Sequence, residues 1–276
     1  MGAGLAAALV LTTARSPLSA QSNERGDAVW QMAGLRKGFC VLFVVAPQMV
    51  SRSLPANLRL VPAGEATDLH PALRTEVQSQ PDLASWIPSH LCFYAMDTIR
   101  TPDYAVRGDK KGKKPQLFGL WTVSAAESGS GTKRDLALLL LASNGRLIKS
   151  ANGMGHQIRQ LEARIGKVPE VDINGVPSTD DRFQVKIGKT LIIWDGHPAR
   201  DSAQTNGSVE IVWASRGESG EKGNGKLSLT PQWSSPMVGS LKVEGKDDLA
   251  KALRASPVRF VGPVYGGGGG QIQFRR

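Results

Sequence analysis

Apolar residues in this chain gather in short unbroken or alternating runs far more often than at helical spacing. Gly38 to Ala46, "GFCVLFVVA", is continuously apolar and predicts a buried strand. Pro47 cuts it, Gln48 to Ser53 predicts a short helical turn, and Pro55 ends that turn. Asn57 to Val61 alternates like a half-buried strand, Thr67 to Gln80 reads as irregular chain or a short helix, and Leu91 to Thr98 is a further strand. "LFGLWTVSAA" and "DLALLLLAS" flank "ESGSGTKR", which predicts a hairpin with a flexible loop. Beyond it the pattern changes. Ile158, Leu161 and Ile165 lie at spacings of three and four, which predicts a helix from about Gly155 to Ile165, with Gly166 as its stop.

The remainder reads as β. "VDING" and "RFQVKIG" are joined by a Pro-Ser-Thr-Asp loop, and "KTLIIWDG", "SVEIVWASRG" and "GKLSLTPQW" continue the pattern. Asp247 to Arg254 predicts a short helix with an acid at its start and a base at its end, as the helix dipole favours. "VRFVGPVY" and "QIQF" are final strands, with Gly266 to Gly270 as a hairpin loop between them. The order of elements predicts an α+β fold: a large antiparallel sheet, or a barrel-like double sheet, with one main central helix. No repeat of 20 to 50 residues is visible.

Composition narrows the function classes. Across 276 residues, 41% are hydrophobic and 21% charged, which excludes a disordered chain. The net charge of +10 suits a polyanion, an anionic surface or an acidic ligand. Part of it is one basic loop, "RGDKKGKK", from Arg107 to Lys114. Aromatic residues do not alternate with the basic ones, and neither helix-turn-helix nor zinc-finger spacing occurs, so no specific nucleic-acid binding is expected. No stretch reaches the ~20 apolar residues of a membrane span. "GLAAALVLTTARSPLSAQ" reads as a leader cut after Ala20, and is preferred to a second signal-like stretch that starts at Met32. The chain therefore divides into a signal peptide (1–20), a linker (21–37) and one β-rich domain (38–276), and the expected location is periplasmic or secreted. Oligomeric state is left open.

Candidate chemistry is sparse. Cys40 and Cys92 sit in apolar runs and read as two buried thiols, or, in an exported chain, as one disulfide between adjacent strands. No CxxC pair or Cys/His ligand spacing points to a metal, and no cofactor motif is present. His156 and Arg159 could together hold an anion. Asp195, two residues from His197 in "WDGHP", could orient an acid or base, although Asp-Gly and His-Pro are also turn chemistry.

The ordered pattern is similar to that of the acetoacetate decarboxylase superfamily. The stretch "GFCVLFVVAPQMVSRSLPANLRLVPAG", with Leu54, Pro55 and Leu58, resembles the family's opening strand, turn and Leu-Pro-x-x-Leu segment. The resemblance runs from about Gly38 to Phe274 and includes the closing segment "LRASPVRFVGPVYGGGGGQIQF". It implies a Gly, an apolar residue, a Pro and two adjacent lysines where the central helix begins, one lysine forming a Schiff base and its neighbour lowering its pKa. Anchored on Gly155, this chain has Ile158 and Arg159 at the lysine positions, and Lys149 is the nearest lysine upstream. A guanidinium stays protonated and cannot serve as that nucleophile. The expectation is a scaffold that binds a small, anionic or apolar molecule through His156, Arg159, Asp195 and His197. The alternatives are an enzyme of altered acid–base chemistry or a structural, adhesive envelope protein.

Overall fold

A computed structural model describes residues 28–100, 105–107, 115–153, 156–167, 181–198, 203–214, 221–235 and 237–275. The expected signal peptide (1–20), most of the basic loop and "VDING" lie outside the described residues.

The first apolar run is the second half of a long strand, β1 (Ala28–Val45), which starts ten residues before Gly38 and takes in the first part of the signal-like stretch from Met32. A helical turn, α1 (Pro47–Val50), and a 3-10 turn lead to β2 (Leu58–Leu60). Helix α2 (Pro71–Ser79) follows, then β3 (Ile87–Arg100), the short β4 (Ala105–Arg107) and the expected hairpin, β5 (Gln116–Glu127) with β6 (Lys133–Ala142). Helix α3 (Gly145–Gly153), β7 (Ile158–Gln160) and β8 (Glu162–Lys167) come next. The chain closes with β9 (Asp181–Ile187), β10 (Thr190–Pro198), β11 (Ala203–Ala214), β12 (Glu221–Ser235), β13 (Met237–Glu244), helix α4 (Asp248–Ala255) and β14 (Arg259–Arg275).

Strands β5, β3, β1, β14, β12, β11 and β6 pair in that order, and β6 returns to β5, so the large sheet closes into a barrel. All of these pairings are antiparallel except β6 with β11. Past the β11 contact the same edge of β6 takes up β7, again in parallel. A second sheet, β13-β10-β9-β8, packs on the inner face of the barrel.

Alternation along the strands builds two kinds of core. Phe39, Val41, Phe43, Leu91 and Phe93 point inward and meet Phe183, Ile192 and Trp194 of the second sheet and Leu249 and Leu253 of α4. The other parity points outward. Cys40, Leu42, Tyr94 and Phe118 lie under Leu147 and Ala151 of α3, and Val44 lies under Leu73 of α2. Cys40 and Cys92 are opposite one another in the β1–β3 register and form a disulfide, which settles the choice left open between thiols and a bridge.

Two sequence expectations are corrected. The central helix is Gly145–Gly153, not Gly155 to Ile165. Asn144 caps it, its Oδ1 accepting from the backbone N–H groups of Arg146 (3.0 Å) and Leu147 (3.1 Å). Ile158 and Leu161 are buried on opposite sides of the large sheet, in extended chain, so their three-residue spacing is not a helical stripe. Gly266 to Gly270 is not a hairpin loop either. It lies within β14, where Gly266 and Gly268 pair with Lys37 and Leu35 of β1.

Candidate functional site

The junction after the apolar strand β6 is built from α3 and β7. Asn152 ties the two together: its side chain accepts from the Ile158 N–H at 2.7 Å and donates to the Ile158 carbonyl at 3.0 Å. His156 is buried at 2% exposure, and its backbone N–H reaches the Ala151 carbonyl of the helix. Arg159 pairs with Leu141 in the β6–β7 register and so leaves the strand on the inner side of the barrel. It is exposed there, and its guanidinium reaches the β9–β10 turn. A Cβ placed on Gly188 would lie 3.4 Å from its terminal nitrogen. Gly188 has φ +59°, a left-handed conformation that glycine adopts without strain. Neither acid available by sequence is left to Arg159. Glu162 lies 3.6 Å from Lys186, and Asp195 is held by Arg182.

Asp195 is on the solvent side of β10, opposite the inward Trp194. Arg182 clamps it with two bonds, of 2.5 and 3.0 Å, and this donation holds the arginine above its ordinary pKa. Thr190, beside the Gly188 turn, is five residues from Asp195, or ~17 Å along an extended strand. His197 continues β10 and stands opposite Val238 of β13. The structure thus brings His156 and Arg159 to one junction and sets Asp195 and His197 further along the second sheet. Lys149 stands exposed on α3.

A different group of titratable side chains meets on the outer face of the barrel, between the apolar patches under α2 and α3. Lys133 of β6 pairs with Asp68 at 2.9 Å and also donates to the Thr67 hydroxyl. His70 accepts from the Ala72 N–H through Nδ1, which places the proton of its neutral ring on Nε2. Burial lowers its pKa, and His90 on β3 adds to this. Burial pushes the Asp135 carboxyl up. His90 pulls it back and Asp68 pushes it further up. Burial would also raise Asp68, but the Lys133 hydrogen bond and charge bring it below its ordinary range. Sequence reading missed this cluster because its members come from three distant segments. The local signals were a His and an Asp heading otherwise apolar strands, "HLCFYAM" and "DLALLLLA". Among the described residues no group of three or more His, Cys, Asp or Glu is placed to hold a metal ion, and no helix is long and apolar enough to cross a membrane.

No protein family matches this sequence, and no curated protein sequence matches it at a significant level. Solved structures do match in shape. The enduracididine biosynthesis enzyme MppR in complex with pyruvate aligns with a TM-score of 0.51 at 13% identity, over 97% of this chain and 96% of that one. Acetoacetate decarboxylase from Legionella pneumophila aligns at 0.48 and 10% identity, over 91% of this chain and 85% of its own. An acetoacetate decarboxylase-like enzyme from Sphingomonas wittichii RW1 aligns at 0.48 and 9%, over 91% and 93%. At such identities the likeness is one of fold: this chain is an α+β barrel with the architecture of MppR, and acetoacetate decarboxylases stand among its structural neighbours.

Proposed function

We propose that this chain is an exported β-scaffold protein that binds a small anionic molecule at the barrel rim, without Schiff-base decarboxylase chemistry. The carrying observation is Arg159, which leaves β7 on the inner side, stays exposed and lays its guanidinium on the Gly188 turn, while Glu162 and Asp195 are held by other cations. In this reading Arg159 supplies the charge and His156 is the buried support behind it. Asp195, neutralised by Arg182, and His197 beyond it are left out. A neighbour of the same fold solved with pyruvate, a small carboxylate, supports the ligand class. The Cys40–Cys92 disulfide suits an oxidising compartment and supports a periplasmic or secreted location.

Replacing Arg159 with Met should weaken carboxylate binding by roughly 1.5–3 kcal/mol, the range for hydrogen bonds to a charged group. Thermal melts of both proteins with a panel of small carboxylates, pyruvate included, test this. Equal ligand shifts in the two proteins would remove Arg159 from the site. Ile158 and Arg159 offer no amine, so borohydride trapping with a β-keto acid should leave no adduct. An adduct on Lys149 would restore imine chemistry to the junction.

The Asp135 cluster favours a second reading, an enzyme of altered acid–base chemistry. A carboxyl whose pKa is raised by burial, within electrostatic reach of the His90 imidazole, is suited to proton transfer. Deuterium uptake at the α-carbon of a 2-oxo acid, lost in His90→Ala, would support it. No uptake by the wild type would count against it.

A further inference from the structure

Among the described residues the inner core buries two indole N–H groups and treats them differently. Trp121 Nε1 donates to the Ser89 hydroxyl at 2.8 Å, and that hydroxyl donates in turn to the Thr122 carbonyl at 2.9 Å. Trp194, at 0% exposure, has no acceptor for its Nε1 among the described residues. Its surroundings explain why. Phe183 lies 5.1 Å from its ring and Phe39 6.4 Å, with Phe39 and Phe183 themselves 4.1 Å apart. The neighbouring inward positions on its own strand and on β9 are Ile192 and Val185, which offer no acceptor side chain. An N–H shut away from both water and protein acceptors is costly, and buried polar groups without partners are rare in folded proteins. The chemistry missing at this point is narrow. An indole N–H only donates, so the partner must accept. Phe39, Phe183, Ile192 and Val185 carry no charge, so a carboxylate set against them would be desolvated without compensation from these side chains. Aromatic faces on two sides favour an apolar body.

We propose that Trp194, with Phe39 and Phe183, forms an internal binding site for a small uncharged molecule that joins one hydrogen-bond acceptor to an apolar body, such as a ketone, ester or tertiary amide. The site is independent of the anion reading. Trp194 lies inside the core, four residues along β10 from Thr190 at the Arg159 rim, or ~14 Å.

Cyclohexanone is the probe, and methylenecyclohexane, of the same shape without the oxygen, is its control. Protein labelled with 15N-tryptophan has six indole signals to follow. The Trp194 signal is the one lost in Trp194→Phe. If that variant does not fold, replacing the other five tryptophans one at a time assigns it by elimination. Cyclohexanone should move the Trp194 indole proton downfield in a saturable way, and methylenecyclohexane should not. Trp194→Phe should weaken cyclohexanone binding by about 2- to 13-fold, the range of one neutral hydrogen bond. The proposal falls if the signal stays still throughout, if both probes move it equally, or if the indole shows contact with a resident water that cyclohexanone does not displace. Since Arg159→Met leaves this site untouched, loss of carboxylate binding and loss of cyclohexanone binding separate the two readings.

Discussion

Single residues here carry opposing pH dependences. Asp135 is raised by burial, so the folded state holds its proton where the unfolded chain, at about 3.8, has released it. Folded protein then binds more protons than unfolded, and stability falls as pH rises from the ordinary carboxylate range through the folded pKa of Asp135. His70 runs the other way. Its folded pKa lies below 6.5, so its contribution is complete above that value and fades as pH falls through the folded pKa. Asp135→Asn should leave urea stability near pH 4 almost unchanged and raise it, relative to wild type, at pH 8. His90 and Asp68 keep their places in that variant, so a flat difference between pH 4 and pH 8 would show that Asp135 titrates normally. Gly119 offers a steric test. It pairs with Phe93 across β3 and β5, and a Cβ there would come within 2.8 Å of the Phe93 ring. Gly119→Ala should cost about 1–3 kcal/mol, the usual penalty of overpacking, read from the melting midpoint.

At the scale of elements, α3 depends on its cap. The side chain of Asn144 serves two N–H groups of the first turn, so Asn144→Ala should cost about 1 kcal/mol in urea melts. A double loss with Gln116→Ala tests whether the Asn144–Gln116 bond of 2.9 Å adds to the cap. This helix also shows what the sequence makes legible. Buried strands such as Gly38 to Ala46 announce themselves because both of their faces are covered, inward by the second sheet and outward by helices. Helix α3 was obscured by a glycine at each end, Gly145 and Gly153, which reads as a turn. Ile158 and Leu161 then mimicked a helical stripe, since a chain that changes the face it buries also spaces its apolar residues by three. The five glycines carry no pattern of their own, and β1 and β12 on either side give that segment its extended form. His156 and Arg159, the residues proposed for the site, stand at one junction because they are neighbours in sequence. The meeting of Asp68, His70, His90, Lys133 and Asp135 was not legible, because it exists only once β3 and β6 stand in one sheet around β5.

Taken whole, the molecule is a barrel stapled between two of its strands. The disulfide closes a loop with a sequence separation of 52 residues. Removing it with paired Cys40→Ser and Cys92→Ser changes should cost about 2–4 kcal/mol, seen as a lower urea midpoint. Unchanged midpoints, with and without reductant, would mean that the bridge contributes nothing to the folded state. The staple and the closure of the ring differ in timing. Cys92 follows Cys40 closely, but the other edge of β1 is filled by β14, where Ala28 faces Arg275 and Phe43 faces Arg259. A ribosome making this chain has released β1 long before its second neighbour exists. The nascent chain can form the β3–β5–β6 meander early, yet it cannot become a barrel until β14 has been made. For that interval the chain exposes an apolar strand edge that invites pairing with other chains. Arrested chains that stop at residue 258 should therefore be cut readily within β1 by added protease, and chains that include β14 should resist.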